Sequence, residues 1–303
     1  MLAFITTLRH PQNSADYGRV ESLLQDTLAS LTRQTSDDYV VIIVGNRRPS
    51  FELPPRTTFV EVDFAPPSDV KGPQTGPAPV IWDKGTKTAV GLIAARELQP
   101  EYVMPFDADD FIHRDVAAYA HDHPGRDGWV VNRGLVYSRA RNAYAMRRRF
   151  YLICGTSFIV PYQGYGVPAH LTVSATQKQI AEAFGDRLEK VLEHGYAFDW
   201  WKEQGRHLEK LPFTGAVYHV DTGENHSGNA LVGPAVPYRS QLYRDFAIRS
   251  SKGRAQTIWS AFGPPAFKPD RGYKERQAAL VGSKDGTSYL DNFTPPSDKA
   301  VSP

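Results

Sequence analysis

The sequence is short of the residues that would announce a secreted, membrane-spanning or nucleic-acid-binding protein. Its 303 residues include one cysteine, Cys154, so no disulfide can close within the chain and a reducing, cytoplasmic setting is expected. The 35 basic and 33 acidic residues leave a formal net charge of +2, which gives no electrostatic case for nucleic acid as a partner. No apolar run approaches the roughly 20 residues that cross a bilayer. No membrane span is therefore expected, while peripheral association with a membrane stays open. The first residues, MLAFITTLRH, lack a basic flank and a long apolar stretch, and read as a strand rather than a leader. There is no internal repeat, and nothing in the composition fixes an oligomeric state.

What the sequence does have is alternation of short apolar strands and amphipathic helices. Residues 2–8 form an apolar, β-branched run suited to a strand buried on both faces. Residues 20–31 carry Val20, Leu23, Leu24, Leu28 and Leu31 at helical spacing. Strands follow at 39–44 and 58–64, and the Pro- and Gly-rich stretch 66–79 reads as a surface loop. A helix is expected over 86–98, then a fourth strand over 102–106. This β-α-β-β-α-β order predicts an α/β fold, a mostly parallel central sheet with helices on both faces. Beyond it, strands are expected at 129–137 and 150–160, flanking a basic turn of Arg147, Arg148 and Arg149. An amphipathic helix fits 176–193 and a strand fits 213–220. The domain reading is a catalytic unit of residues 1–228, with halves 1–110 and 111–228, and a C-terminal extension, 229–303. That extension is irregular, with one helical patch at 238–248 and a disordered tail.

The feature that asks for chemistry is EYVMPFDADDF, residues 101–111, where Asp107, Asp109 and Asp110 follow an apolar strand. Ligands of open α/β sheets bind beyond the carboxyl ends of the strands, which is where these carboxylates fall. An aspartate after a strand also caps helices and decorates ordinary loops, so the triplet alone leaves both readings open. In the functional one, Asp107 and Asp109 hold a divalent cation, Mn²⁺ or Mg²⁺, whose remaining positions take phosphate oxygens.

The company of the triplet resembles the family 2 glycosyltransferases, which have the GT-A fold. FITTLRHP, with Thr7 inside it, and RVESLLQDTLASLTRQT resemble that family's first strand and helix. YVVIIVGN resembles its second strand, with Asn46 where an aspartate usually faces the nucleotide base. DKGTKTAVGLIAARELQPEYVMPFDADD resembles the segment leading into the family's D-x-D, and places Lys87 near the nucleotide. RRRFYLICGTSFIVP resembles the following strand, whose small residues, here Gly155, Thr156 and Ser157, line the sugar and acceptor pocket. FDWWKEQGRHLEKLP resembles the helix that carries the catalytic base, at Asp199, with Phe198 where a second acid is usual. Trp200 is then a candidate to stack on a sugar ring.

In many members a histidine near the end of the catalytic domain completes the cation site, and VYHVDTGENHSG offers two. His219 is preferred because a strand end holds geometry better than a loop, and His226 is the alternate. The resemblance covers roughly residues 2–227 and touches a bacterial group named as rhamnosyltransferases through DYVVIIVGNRRP and PFDADDFIHRD. It implies a metal-dependent, inverting transfer of a hexosyl or deoxyhexosyl group from a nucleotide-diphosphate sugar to an acceptor hydroxyl, in bacterial surface-glycan synthesis. Two alternatives stand beside it. A sugar-1-phosphate nucleotidyltransferase would need a Gly-rich loop after the first strand, where this chain has TTLRHPQNSADYG. A non-catalytic nucleotide-sugar or carbohydrate-binding protein would fit the absent acid at Phe198.

Overall fold

The computed structural model describes residues 1–72, 75–191, 194–267, 288–290 and 293–296. In chain order its elements are β1 (Leu2–Thr7), α1 (Tyr17–Leu31), β2 (Tyr39–Gly45), β3 (Thr57–Glu61), α2 (Pro77–Ala95) and β4 (Tyr102–Asp107). There follow β5 (Phe111–Ile112), α3 (Val116–Asp122), β6 (Trp129–Val130), β7 (Arg133–Ser138), β8 (Ala143–Arg148) and β9 (Phe158–Pro161). The remainder is α4 (Gln177–Phe184), α5 (Arg187–Lys190), α6 (His194–Glu203), β10 (Glu209–Lys210), β11 (Ala216–Val220), β12 (Val236–Pro237), α7 (Gln241–Phe246) and α8 (Arg254–Phe262).

The first sheet runs β10-β6-β9-β4-β1-β2-β3, and β4, β1, β2 and β3 are mutually parallel. The second runs β12-β8-β7-β11-β5 and is antiparallel except for β11 beside β7. The α/β class expected from the sequence is what the chain forms. β1 is buried along both faces because α1 covers one and α2 the other. Leu2 and Phe4 pack with Leu24 and Leu28 of α1, while Ala3 and Ile5 pack with Ala89 and Ile93 of α2. Each such fully buried aliphatic side chain contributes on the order of 1.5–3 kcal/mol of transfer free energy. The second sheet lies on the α1 side, where Val136, Tyr218 and Val220 share a core with Phe4 and Met104. α4, α5 and α6 join α2 on the other side.

Four expectations are corrected. α2 begins at Pro77, not at residue 86, because Pro77 and Pro79 lie in its first turn, where a missing N–H and a fixed φ are tolerated. Gly91 lets α2 lie against β1, since a Cβ there would sit 2.4 Å from Ile5 Cγ2. The two long strands expected over 129–160 are four, β6 to β9, and Arg147 and Arg148 end β8 rather than forming a turn. The helix expected over 176–193 breaks at Gly185, φ 52°, into α4 and α5, with residues 192–193 outside the described set. Residues 229–267 are not merely appended: β12 extends the second sheet, and Leu231, Ala235 and Ala261 are buried in the first core. Of the expected disordered tail, residues 297–303 lie outside the described residues.

Candidate active site

β1 is the pivot of the first sheet. The chain leaves it through α1 to β2 on one side and later returns as β4 on the other, so the strand order reverses between β1 and β4. At such a switch point the loops diverge and open a crevice beyond the carboxyl ends of the strands. Thr7 ends β1 there, in register with Val44 of β2 and with Asp107 of β4.

The three aspartates are in three different situations. Asp107 is half-exposed, pairs with the Lys84 ammonium, and its N–H donates to Thr156 Oγ1 at 3.0 Å. Asp109 accepts from Asn225 Nδ2 at 3.1 Å; burial, and then the charge of Asp107, push its carboxyl up to about 7. Asp110 is fully buried and accepts at Oδ2 from Thr156 Oγ1 and from Cys154 Sγ (3.0 Å), and at Oδ1 from the His219 N–H (3.1 Å). Burial and its two carboxylate neighbours raise its pKa well above the usual carboxylate range. Asp110 therefore ties the end of β4 to residues 154–156 and to β11, and leaves Asp107 and Asp109 toward the crevice. Ligand atoms of Asp107, Asp110 and Cys154 lie within 4.8 Å of one another, but a buried thiol and a carboxylate with three donors make a poor hard-cation site.

Lys87, expected near a nucleotide, is fully buried, its ammonium bonded to Asp83 Oδ2 (2.7 Å) and to the Leu8 carbonyl (3.0 Å). It clamps α2 to the end of β1. The cation that meets Asp107 is Lys84, three residues earlier on α2. From the sequence, Asp83 and Lys84 fall just before a helix expected at residue 86, where they either cap it or lie at an N-terminus that favours a phosphate; with α2 beginning at Pro77 they lie inside it instead. A second cation was missed altogether. Arg9, directly after β1, bonds Glu224 Oε2 at 3.2 Å and lies in the field of Asp109 and Asp83. Glu224 also accepts from the N–H groups of Ala15 (3.0 Å) and Asp16 (2.9 Å), pinning the loop after β11 to the start of α1. That clip brings Asn225 and His226 over the carboxyl edge. Their signal in the sequence was GENHSG, a polar turn directly after a strand.

The two candidate histidines part company here. Side chains alternate along a strand, so His219 points the same way as Val217, into the small core under α7, between Phe111 (ring centroids 5.4 Å) and Tyr137 (5.6 Å). Neither of its ring nitrogens has a hydrogen-bond partner, and burial holds its pKa down at about 3. His226 lies in the clipped loop. Its Nδ1 is buried without a partner, and burial, then the charges of Arg9 and Lys84, lower its pKa to about 4. His226, the alternate in the sequence, is thus the histidine among the charges of the crevice.

The His219 environment makes a stability prediction. Its folded pKa lies below its ordinary 6.5, so as pH falls from 6.5 toward 3 the unfolded chain takes up a proton that the folded one refuses. Stability is lost over that window. In His219→Phe the stability lost between pH 7 and pH 4 is expected to shrink by about 2–3 kcal/mol, read from urea midpoints at the two pH values. An unchanged loss would mean that His219 is not buried in its neutral form.

On the other wall, Gly155 touches the Asp107–Lys84 pair: a Cβ there would lie 3.1 Å from Asp107 Oδ2 and 3.2 Å from Lys84 Nζ. Thr156 and Ser157 are buried and bonded inward, so Gly155 is the member of that trio facing the crevice. A small cavity lies behind, lined by Lys84, Asp107, Gly155, Phe158, Tyr165 and Val191. Asp199 is exposed on α6, and Trp200 is half-buried, edge-on to the buried Trp201 at 4.8 Å. Phe198 stacks on Tyr151 at 4.9 Å, which accounts for an aromatic ring where an acid was expected. Asn46 donates to the Phe64 carbonyl at 2.8 Å, while its Oδ1 is buried without a partner. Together with Trp82 Nε1 and His226 Nδ1, it leaves unpaired polar atoms on segments around the carboxyl edge, where a bound ligand would pair them. Phe293 packs on Trp82 (5.9 Å), and the Tyr289 N–H donates to Glu189 Oε1 (2.8 Å), so the chain's far end returns to this side of α2 and α5.

No family model and no curated protein sequence matches the chain. Among solved structures it is similar to TarS of S. aureus, with 11% identity, 72% of this chain and 36% of that one covered, and a TM-score of 0.37. It is also similar to the glycosyltransferase GlyE of Streptococcus pneumoniae TIGR4, with 10% identity, coverage of 69% and 45%, and a TM-score of 0.32. A third, from Desulfovibrio desulfuricans G20, is described as a nucleotide-diphospho-sugar transferase; it shows 10% identity, coverage of 72% and 80%, and a TM-score of 0.34. The chain thus spans less than half the length of the first two. Superpositions this partial carry no argument by themselves.

Proposed function

We propose that the protein is an inverting glycosyltransferase of the GT-A type that uses a nucleotide-diphosphate sugar. One observation carries the reading: Asp107 and Asp109 meet Lys84 and Arg9 at the β1–β4 switch point, where a phosphate-bearing ligand of an open α/β sheet binds. Asp107 and Asp109 would hold a hard divalent cation, Mn²⁺ or Mg²⁺, with the unpartnered Nδ1 of His226 as the third ligand once drawn in, since the group already gathered among the described residues is Asp107 and Asp110 with Cys154. When bound, such an ion neutralises charge that develops on a departing diphosphate. The chain's own residues do the rest. Lys84 and Arg9 bind diphosphate oxygens, the free Asn46 acceptor meets the base, and Gly155 leaves room for the sugar beside Asp107. Asp199, open to solvent on α6, takes the proton of the attacking hydroxyl. A single displacement with one base inverts the anomeric carbon. The setting we infer is synthesis of a bacterial surface glycan, with transfer of a hexose or deoxyhexose such as rhamnose.

The test is incubation with a panel of nucleotide sugars while release of nucleoside diphosphate is followed. One donor is expected to be hydrolysed slowly without any acceptor. Saturable binding of a donor with no release over days would assign the protein instead to the non-catalytic binders.

A further inference from the structure

α8 and the turn that follows it present an apolar surface that nothing among the described residues covers. Thr257, Ser260 and Ala261 face inward, and Ile258, Trp259 and Phe262 face out, 57%, 61% and 54% exposed. Phe267, at 61%, and Val232, at 43%, extend the patch, because the Gly233 N–H donates to the Ala266 carbonyl at 2.7 Å and holds the two segments together. Scattered exposed apolar residues are ordinary, but aromatic side chains gathered on one helix face are not. The patch is also rigidly mounted. The buried Arg141 guanidinium donates to the carbonyls of Leu231, Gly233, Ser260 and Ala261, satisfying the end of α8 and fixing it to the neighbouring loop.

The segment that carries α8 is basic. Residues 229–267 contain five cationic side chains, Arg239, Arg244, Arg249, Lys252 and Arg254, against one acid, Asp245. Asp245 is itself buried and paired with Arg244 at 3.0 Å. β8, which β12 joins to this region, carries the exposed Met146, Arg147 and Arg148, and exposed Arg149 follows. The cations that the structure places at the patch itself are Arg254, the first residue of α8, and Lys252, whose ammonium donates to Ser260 Oγ at 3.0 Å, while Arg147 to Arg149 lie at the end of β8 away from β12.

We propose that this face docks on an anionic lipid bilayer, with Ile258, Trp259, Phe262 and Phe267 entering the headgroup–acyl boundary and the arginines at headgroup level. An apolar helix face with a cationic margin is the signature of an interfacial helix. A second copy of the chain fits less well, because a two-fold contact would set the same arginines against each other. Five apolar side chains also cover less than a stable dimer needs, about 1,200 Å² or more of total buried surface. The attachment is peripheral: no helix among the described residues is long and apolar enough to cross a membrane.

The experiment is flotation of the full chain with vesicles of phosphatidylcholine alone or mixed equally with phosphatidylglycerol, alongside a Trp259→Ser/Phe262→Ser variant. Both side chains are exposed, so the variant is expected to keep the wild-type melting temperature. The wild type is expected to partition about tenfold more onto the anionic vesicles and to lose that preference in high salt; the variant is expected to bind about tenfold less. Lys252→Gln/Arg254→Gln is expected to weaken binding to anionic vesicles only. Equal recovery of wild type and Trp259→Ser/Phe262→Ser, or no preference for the anionic lipid, would overturn the proposal. So would a wild-type dimer in sedimentation equilibrium that the same variant dissociates.

Discussion

Asp109→Ala is expected to cut sugar transfer by at least about 10²- to 10³-fold, the scale of losing one preorganised electrostatic contact to a transition state. It is expected to do so without loss of fold stability. The Asp109 carboxyl is pushed up to about 7, first by burial and then by Asp107, so the folded state binds its proton more tightly than the unfolded state does. The sign follows: that carboxyl opposes folding increasingly as pH rises from its ordinary 3.8 to about 7, and fully above it. Removing it relieves the penalty, and Asn225 keeps the His219 carbonyl (2.8 Å) as a partner. The melting temperature at pH 8 is therefore expected to stay level or rise while activity disappears. A variant with wild-type turnover would remove Asp109 from the site. One that simply unfolds would make it a structural residue, the role the geometry gives to Asp110 instead.

Asp199→Asn carries the second large effect, a fall in kcat of about 10²- to 10⁴-fold with donor binding unchanged, because only the proton acceptor is lost. The residue is exposed on α6, so the substitution leaves the core alone. Donor affinity from calorimetry and kcat from nucleoside-diphosphate release together separate the roles. Turnover near wild type, with intact binding, would move the base elsewhere.

The parallel half of the fold was legible because β1, β2 and β4 are buried on both faces and so read as unbroken apolar runs ending in polar residues. The start of α2 was not, because Pro77 and Pro79 are breakers in the middle of a helix and ordinary residues in its first turn. Lys87 is placed near the nucleotide by the resemblance of its segment, and a match of segments does not say which face of the helix meets the crevice. In the fold, Lys87 is buried against Asp83, and Lys84 faces Asp107. The histidines show the same limit. Strand character made His219 the better-held residue, yet which face of β11 meets the crevice depends on how the second sheet is stacked, and no local pattern encodes that. Arg9 and Glu224 are 215 residues apart in sequence, and only the tertiary clip makes them one feature. Asp107 needed no such information, since it ends an apolar strand and sits where the strand delivers it.

The crevice between β1 and β4 is proposed to hold a nucleoside diphosphate. The most direct test is the thermal shift of the intact protein with UDP, GDP, dTDP and CDP, each with and without Mn²⁺. Site-specific binding to the native state at about 100 times Kd adds about 2.7 kcal/mol, and that displaces the melting temperature measurably. One nucleotide is expected to raise it, Mn²⁺ to enlarge the shift, and Asp109→Ala to remove the enlargement. No shift with any of the four, with or without the cation, would contradict that proposal.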